Sequence, residues 1–290
     1  MRPQHWEKNL AELVRRTAID LPADVEKALR RLQAREKKSE GSGDRVERFL
    51  ETAAGSREKG TPLCDHSGLL QFYFRVPVGF DTNMLASRAR SAVSRATRQG
   101  FLCSDTVDAL SGAPYKTNVA PASPVFHFRQ GARKTIEVCL VMHDAGCENV
   151  SRQYSLPFKE LGADRNLEGA VRCVLDAVAR ARIAASDTFS LGVCIGGNRE
   201  SGHAHAKEQF LRRFPERSPV RALSRLENRL LKEVGNLRRG DKSIAALAVK
   251  VGTLSRLEHS YFVTVSFMPW ACRRRGVLLG PEGGVRRWLY

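Results

Sequence analysis

The stretch Phe189-Ser190-Leu191-Gly192-Val193-Cys194-Ile195-Gly196-Gly197-Asn198 indicates the fold class most directly. Its first seven residues form a short, mostly apolar run that is typical of a β-strand. A helical pattern over about 167–185 precedes this strand, and the turn Gly196-Gly197-Asn198 leads from it into another helix. Helix, strand and helix in succession predict an α/β fold.

Segments on both sides extend this alternation. Helices are predicted over 6–20, 23–38, Asp44 to about Ser56, 81–98, 202–214 and 219–236, and strands over 69–76, 244–252 and 260–268. Residues 124–142 predict a β-hairpin around the turn Gln130-Gly131-Ala132. The sequence therefore predicts one mixed α/β domain over residues 1–290, with mixed β-sheets flanked by helices and a helical N-terminal third.

The composition is that of an enzyme-sized globular protein. Of its 290 residues 42% are apolar, which is enough for a packed core. No apolar run approaches the roughly 20 residues that a membrane span needs, and the N-terminus lacks an apolar signal core. We therefore expect a cytoplasmic protein that does not enter the membrane.

The net charge of +17 raises the question of nucleic-acid binding, because Lys and Arg neutralise phosphates. The basic residues are spread along predicted helices with acidic residues between them, and no recognition-helix or zinc-finger pattern occurs. The pattern favours solvated helix faces over a nucleic-acid interface. An anionic small molecule or an acidic partner subunit would also suit this charge.

The chain has seven cysteines, an odd number without Cys-x-x-Cys spacing, which does not fit a disulfide framework. Cys139 and Cys173 lie in apolar stretches and are predicted to be buried. The other five lie nearer turns and are candidates for chemistry. The Gly196-Gly197 turn is a further candidate, because free amides and the dipole of the following helix favour an anion.

Four segments carry a joint resemblance to a known family. They are Pro62-Leu63-Cys64-Asp65-His66-Ser67-Gly68, Gly146-Cys147-Glu148-Asn149-Val150-Ser151, Gly192-Val193-Cys194-Ile195-Gly196-Gly197-Asn198-Arg199-Glu200, and Phe262-Val263-Thr264-Val265-Ser266-Phe267-Met268-Pro269-Trp270-Ala271-Cys272-Arg273-Arg274. In order and spacing they resemble the α (catalytic, iron–sulfur) subunit of class I fumarate hydratases and L-tartrate dehydratases. The resemblance covers about residues 10–275.

The resemblance implies a 4Fe–4S hydro-lyase, in which three cysteines hold the cluster and its open iron acts as a Lewis acid on a 2-hydroxy dicarboxylate. Here the first ligand position is Cys64, whereas the second falls on Ser186 and the third on Pro269. The position of the family's acid/base aspartate falls on His66, and the preceding glutamine on Asp65. Two of the three ligands are therefore replaced.

The resemblance and the chemistry of the glycine turn together give a set of expected substrate contacts. These are Asn118, Gly146, Glu148, Asn149, Gly196, Gly197, Arg199 and Arg273. A family arginine that is expected to bind a substrate carboxylate falls on Cys103.

Three hypotheses about the altered site follow. In the leading one, elimination or hydration of a small carboxylic acid proceeds without a cluster, with His66 as acid/base, Asp65 or Glu148 to orient it, and Cys64 as a nucleophile or metal ligand. In the second, Cys64 holds a relocated cluster with Cys272, Cys194 or Cys147. In the third, the chain is a non-catalytic homologue that binds a small acid or supports a partner.

The family also implies a partner. The chain ends where the α-subunit of the family ends, so a separate β-type subunit is expected, together with a possible homo-oligomer.

Overall fold

The computed structural model describes residues 4–36, 43–181, 187–239 and 242–290. Contacts divide the chain into two compact units, one of Met1–Glu26, Gly41–Asp144 and Arg273–Tyr290, and one of Lys27–Glu40 and Ala145–Cys272. We refer to them as unit 1 and unit 2. One catalytic domain over residues 1–290 stays a prediction.

The N-terminal helices are confirmed: α1 is Gln4–Ile19, α2 is Ala23–Glu36 and α3 is Gly43–Lys59. Residues 37 and 38 of the second predicted helix, and the side chain of Asp44, lie outside the described part. Helix α4 (Thr82–Arg98) begins where predicted, because the Asp81 side chain accepts a hydrogen bond from the Met84 amide at 2.9 Å.

The sheet of unit 1 contains five strands. They are β1 (Leu69–Pro77), β2 (Val125–Gly131), β3 (Ile136–His143), β10 (Arg274–Leu279) and β11 (Val285–Leu289), in the spatial order β11-β10-β3-β1-β2. Strand β1 pairs parallel with β2 and antiparallel with β3. The sheet is therefore mixed.

The predicted hairpin over 124–142 is wrong, because β1 lies between the two strands that were expected to pair. Phe72 and Phe74 of β1 are fully buried. A strand this apolar is most stable in the middle of a sheet, where its backbone is paired on both sides.

The core of unit 1 lies between one face of this sheet and helices α1 and α4. Side chains of β1 alternate, so that Leu70, Phe72, Phe74 and Val76 face the core. Leu10, Leu13 and Val14 of α1 pack against them.

Unit 2 contains a second mixed sheet, β4-β9-β5-β8. Its strands are β4 (Arg152–Ser155), β5 (Thr188–Ile195), β8 (Ala245–Thr253) and β9 (Phe262–Pro269), which confirms the three strands predicted here and adds β4. Strand β5 lies in the middle, parallel to β8 and antiparallel to β9. A pair of two-residue strands, β6 (Arg238–Arg239) and β7 (Lys242–Ser243), follows helix α8.

Four helices accompany this sheet: α5 (Ala145–Val150), α6 (Leu167–Arg180), α7 (Arg199–Glu208) and α8 (Arg221–Gly235). Helix α6 ends before the predicted residue 185, and 182–186 lie outside the described residues. The helix predicted over 202–214 begins earlier, at the cap of Asn198, and passes into a 3₁₀ turn at Gln209–Leu211. Leu191, Val193 and Phe267 form a core with α6 and α8.

Both sheets are mixed and flanked by helices, so the predicted fold class is confirmed. In the described part of the chain, no helix combines the length and apolar character needed to cross a bilayer.

Candidate active site

The segment Cys64–Gly68 of unit 1 forms a tight turn that leads directly into β1. Gly68 has a φ of +71°, and a Cβ atom there would lie 2.3 Å from the carbonyl oxygen of His143. Such a distance is far inside van der Waals contact, so only glycine fits. The turn that carries three of the predicted site residues is therefore pressed against the end of β3.

Three hydrogen bonds anchor this turn. The Gly68 amide donates to Asp105 Oδ2 at 3.0 Å, and Ser67 Oγ donates to the Cys103 carbonyl at 3.0 Å. Arg273 Nη2 donates to the Ser67 carbonyl at 3.2 Å. The backbone beneath Asp65 and His66 is thus fixed by groups that are distant in sequence.

Asp65 and His66 themselves are exposed, whereas Cys64 is half-buried. Neither the Asp65 carboxylate nor the His66 imidazole makes a hydrogen bond or ion pair within the described ranges. The orientation of His66 by Asp65 or Glu148 therefore stays a prediction. The catalytic role of the three residues stays a prediction.

The Cys64 thiol lies in an environment that disfavours the thiolate. Burial raises its pKa, Arg273 lowers it, and Asp144 and Asp65 raise it. The thiol is therefore protonated at neutral pH, which weakens it as a nucleophile. Burial, Asp105 and Asp65 likewise raise the pKa of the Cys103 thiol.

Asn118 holds the loop that supports the turn. It is buried, with a left-handed φ of +57°. Its Oδ1 accepts hydrogen bonds from the amides of Asp105 and Thr106 at 3.0 and 3.1 Å, and its Nδ2 donates to the Cys103 carbonyl at 2.5 Å and to Thr97 Oγ1 at 3.3 Å. These four bonds use its whole hydrogen-bonding capacity. A substrate contact of this amide stays a prediction, and it would have to replace one of these bonds.

Arg273 is a buried charged residue of unit 1. It is 2% exposed, and its Nε is buried without a hydrogen-bond partner. Among the described residues no carboxylate lies within ion-pair distance of it, whereas the next two arginines, Arg274 and Arg275, pair with Asp24 and Asp20. Because a buried unpaired cation is costly, Arg273 is a candidate ligand for an anion.

The backbone amides of the glycine turn in unit 2 already donate hydrogen bonds to carbonyl groups of the protein. Gly196 and Gly197 have φ values of +94° and +72°, and their amides donate to the carbonyls of Phe262 at 2.8 Å and Ser255 at 3.2 Å. A Cβ on Gly196 would lie 2.1 Å from the Leu254 carbonyl oxygen. Any ligand contact of these two glycines would therefore need atoms other than their amides, and the predicted contact stays a prediction.

A capping box follows this turn. Ser201 N donates to Asn198 Oδ1 at 2.8 Å, and Asn198 N donates to Ser201 Oγ at 2.9 Å. Arg199 is exposed, with its guanidinium 5.3 Å from the centre of the Phe262 ring.

Residues 146–150 of the Gly146–Ser151 segment lie in helix α5 (Ala145–Val150), and Ser151 follows its end. Gly146 is half-buried and Asn149 is exposed. Lys207 Nζ of α7 donates to Glu148 at 2.6 Å, and Lys207 is 8% exposed. This ion pair gives Glu148 a partner within its own unit.

His203 belongs to the same group, although the sequence offered only its helical i,i+4 spacing to Lys207 as a signal. Burial and Lys207 lower the pKa of His203, and Glu148 raises it. The charges of Lys207 and Glu148 therefore influence the protonation of His203 within unit 2.

Within neither unit do the described residues bring together three side chains that could hold a 4Fe–4S cluster. Cys194 is fully buried on β5 and burial raises its pKa to about 12, while Cys147 and Cys272 are also fully buried. Pro269 ends β9, and Ser186 lies outside the described residues. Within the described ranges, no three His, Cys, Asp or Glu side chains are arranged to hold a metal ion.

Comparison of the sequence with known proteins gives a family match over most of the chain. The profile of the family described as fumarate hydratase (fumerase) matches residues 7–277. A Geobacillus stearothermophilus protein, provisionally named class I fumarate hydratase, is 32% identical over 98% of this chain and 57% of its own length. A Methanocaldococcus jannaschii protein, provisionally named L(+)-tartrate dehydratase subunit alpha, is 27% identical over 91% of this chain and 94% of its own. The chain thus spans little more than half of the first relative, and it belongs to the fumarate hydratase (fumerase) family.

Proposed function

We propose that this protein is a lyase that eliminates water from, or adds it to, a small carboxylic acid without a 4Fe–4S cluster. One observation carries the proposal: the buried, unpaired guanidinium of Arg273 is bonded to the turn that bears Cys64, Asp65 and His66. A ligand carboxylate would supply the missing counter-charge and bring its carbon chain to this turn.

His66 acts as the acid/base in this proposal. Histidine suits proton transfer near neutral pH, and an exposed imidazole on a fixed backbone can reach a bound ligand. In elimination, a ring nitrogen takes the carbon-bound proton, the C–H electron pair forms the double bond, and the C–O bond breaks. Hydration is the reverse.

The leaving oxygen also needs a proton. The raised pKa keeps Cys64 protonated, so we assign it proton donation to this oxygen instead of nucleophilic attack. Without a Lewis acid, a substrate with an acidic carbon-bound proton is favoured.

The relative named as subunit alpha, which the chain covers over 94% of its length, supports a heteromeric enzyme. We propose that this chain is the α-type catalytic part and that a separate β-type polypeptide works with it. Seven free cysteines suit a reducing compartment, so we place the enzyme in the cytoplasm.

A non-catalytic homologue that binds a small acid is the second candidate. This candidate is favoured because the polar groups of Asn118, Gly196 and Gly197 that were expected to bind a ligand already hydrogen-bond other groups of the protein.

Turnover by His66 variants distinguishes the lyase from the non-catalytic homologue. Fumarate, L-malate and L(+)-tartrate are offered to the purified chain, alone and with its co-purifying partner, and alkene absorbance is followed. We expect His66→Gln to lower kcat by about 10²-fold or more with an unchanged melting temperature. Full activity in His66→Gln would exclude this mechanism, and no turnover with any acid would favour the non-catalytic homologue.

Iron analysis of anaerobically purified protein tests the cluster separately. We expect no iron bound in proportion to protein. Stoichiometric iron that Cys64→Ser removes would contradict the cluster-free mechanism.

A further inference from the structure

We propose that the tip of the loop over residues 104–117 in unit 1 is the docking element for the β-type polypeptide, and that Leu110 inserts into an apolar pocket of that partner. The inference rests on the heteromeric enzyme proposed above and names the surface of this chain that the partner contacts. It follows from the exposure, the rigidity and the position of the 104–117 loop.

The tip of the 104–117 loop presents apolar side chains to solvent. Leu110 is 99% exposed and Val107 is 52% exposed. Three smaller apolar neighbours are exposed as well, namely Ala109, Ala113 and Pro114. Single apolar residues on a surface are common, whereas a contiguous apolar group is typical of an interaction site. Leu110 can bury almost its whole side chain in a partner, and burial of apolar area is the main driving force of association.

Hydrogen bonds hold this tip in one conformation. Asp108 Oδ1 accepts bonds from the amides of Leu110 and Ser111 at 3.2 and 2.9 Å, and from Ser111 Oγ at 2.8 Å. Across the loop, the Asp108 amide donates to the Ala113 carbonyl at 2.8 Å. The loop therefore holds Leu110 out in solvent instead of folding it onto the surface. Such preorganisation lowers the conformational cost of binding.

The base of the same loop is hydrogen-bonded to the turn over residues 64–68. The Gly68 amide donates to Asp105 Oδ2 at 3.0 Å, and Ser67 Oγ donates to the Cys103 carbonyl at 3.0 Å. A partner that binds the tip is therefore attached to the backbone that supports the candidate active site. This position suits a polypeptide that works together with this chain in the reaction.

Two observations favour a different polypeptide over a second copy of this chain. The chain spans only 57% of the length of the Geobacillus relative, so a large part of that relative has no counterpart here. A separate polypeptide that corresponds to this unmatched part would need a contact surface on the present chain. The net charge of +17 also opposes association between two identical copies, because like charges repel.

The unmatched part of the Geobacillus relative, produced as a separate polypeptide, is the probe for this surface. Its affinity for the full chain is measured by titration calorimetry. We expect Leu110→Ser to weaken binding by about tenfold or more, because the apolar anchor is lost. Asp108→Ala keeps Leu110 but loosens the tip, so we expect binding about three- to tenfold weaker. Val78→Ser, at a 74% exposed apolar residue of the same unit, should bind like the wild type.

The outcomes separate the docking surface from the partner itself. Equal affinities of the wild type and Leu110→Ser would overturn this inference and leave the heteromeric enzyme intact. Absence of binding by the wild type would contradict the proposed heteromer, and the inference with it. Sedimentation of the chain alone tests the other occupant. A dimer that Leu110→Ser converts into a monomer would show that the tip contacts a second copy, which would also overturn the inference.

Discussion

Arg273 Nη2 donates to the carbonyl of Ser67 at 3.2 Å, across a sequence separation of 206 residues. Of the three arginines at 273–275, Arg273 is the one that has no carboxylate partner among the described residues. The bond joins this buried arginine to the turn that carries Cys64 and His66. A charge held in this way is prepared for a ligand, because the protein has already removed it from water.

The tight contact of Gly68 with β3 predicts an intolerant position. Gly68→Ala places a methyl group 2.3 Å from the His143 carbonyl oxygen, so we expect a loss of about 3 kcal/mol or more in the free energy of unfolding. Gly79→Ala is the matched control, since Gly79 has a φ of +76° with nothing within 4 Å, and should cost about 1 kcal/mol. If urea unfolding gave equal losses of unfolding free energy for Gly68→Ala and Gly79→Ala, the contact of Gly68 with β3 would have no effect on stability.

The loop under the turn predicts a structural cost at Asn118. Asn118→Gly keeps the left-handed backbone accessible but removes four hydrogen bonds, so the free energy of unfolding should fall by about 2–4 kcal/mol. Urea unfolding checks this. A fall below about 0.5 kcal/mol would mean that the loop does not depend on this amide.

The group of His203, Lys207 and Glu148 predicts pKa changes of opposite sign. Lys207→Met should raise the pKa of His203 and Glu148→Gln should lower it, since Lys207 lowers this pKa and Glu148 raises it. An NMR pH titration of the imidazole measures both. Glu258→Gln, an exposed residue of unit 2, should have no effect, and shifts of the same sign in the first two variants would contradict the assignment.

The lowered pKa of His203 also fixes the direction of a stability change with pH. The pKa of His203 is lowered in the folded protein, whereas in the unfolded chain it has its ordinary value of 6.5. At low pH the unfolded chain therefore binds this proton more readily than the folded one. The contribution of His203 to stability is complete above pH 6.5 and decreases as the pH falls. His203→Gln should flatten this part of the stability curve.

Cysteine exposure predicts the pattern of alkylation. Cys64 and Cys103 are the two cysteines that are not buried, so iodoacetamide should modify them first in the folded protein. Because the pKa of each is raised, both should react more slowly than a free thiol at neutral pH. Rapid modification of Cys194 or Cys272, measured by mass spectrometry, would contradict their burial.

The elements that the sequence predicted well have strong local signals. Strand β5 is a short apolar run that ends at the turn Gly196-Gly197, and a helix follows this turn as predicted, so both are recognisable from local residues. The start of α7 at Arg199 was predicted too late, at residue 202. The pairing of β1 between β2 and β3 could not be predicted, since it depends on which strand is buried most completely.

Strand β10 was missed because Arg274 and Arg275 do not form an apolar pattern. Their charges are compensated by ion pairs with Asp24 and Asp20, which are about 250 residues away in the sequence. For the same reason the sequence could name Cys64, Asp65, His66 and Arg273 as candidate site residues, but it could not show that Arg273 is buried without a carboxylate partner among the described residues.

Binding of a carboxylate by Arg273→Gln tests the central claim most directly. Titration calorimetry with L-lactate, and urea unfolding, are applied to Arg273→Gln and to Arg75→Gln, a half-exposed control in unit 1. We predict that Arg273→Gln weakens binding by about 2–5 kcal/mol while the free energy of unfolding does not fall, and that Arg75→Gln binds normally. Unchanged affinity together with a large loss of stability would show that Arg273 supports the fold and does not bind the substrate.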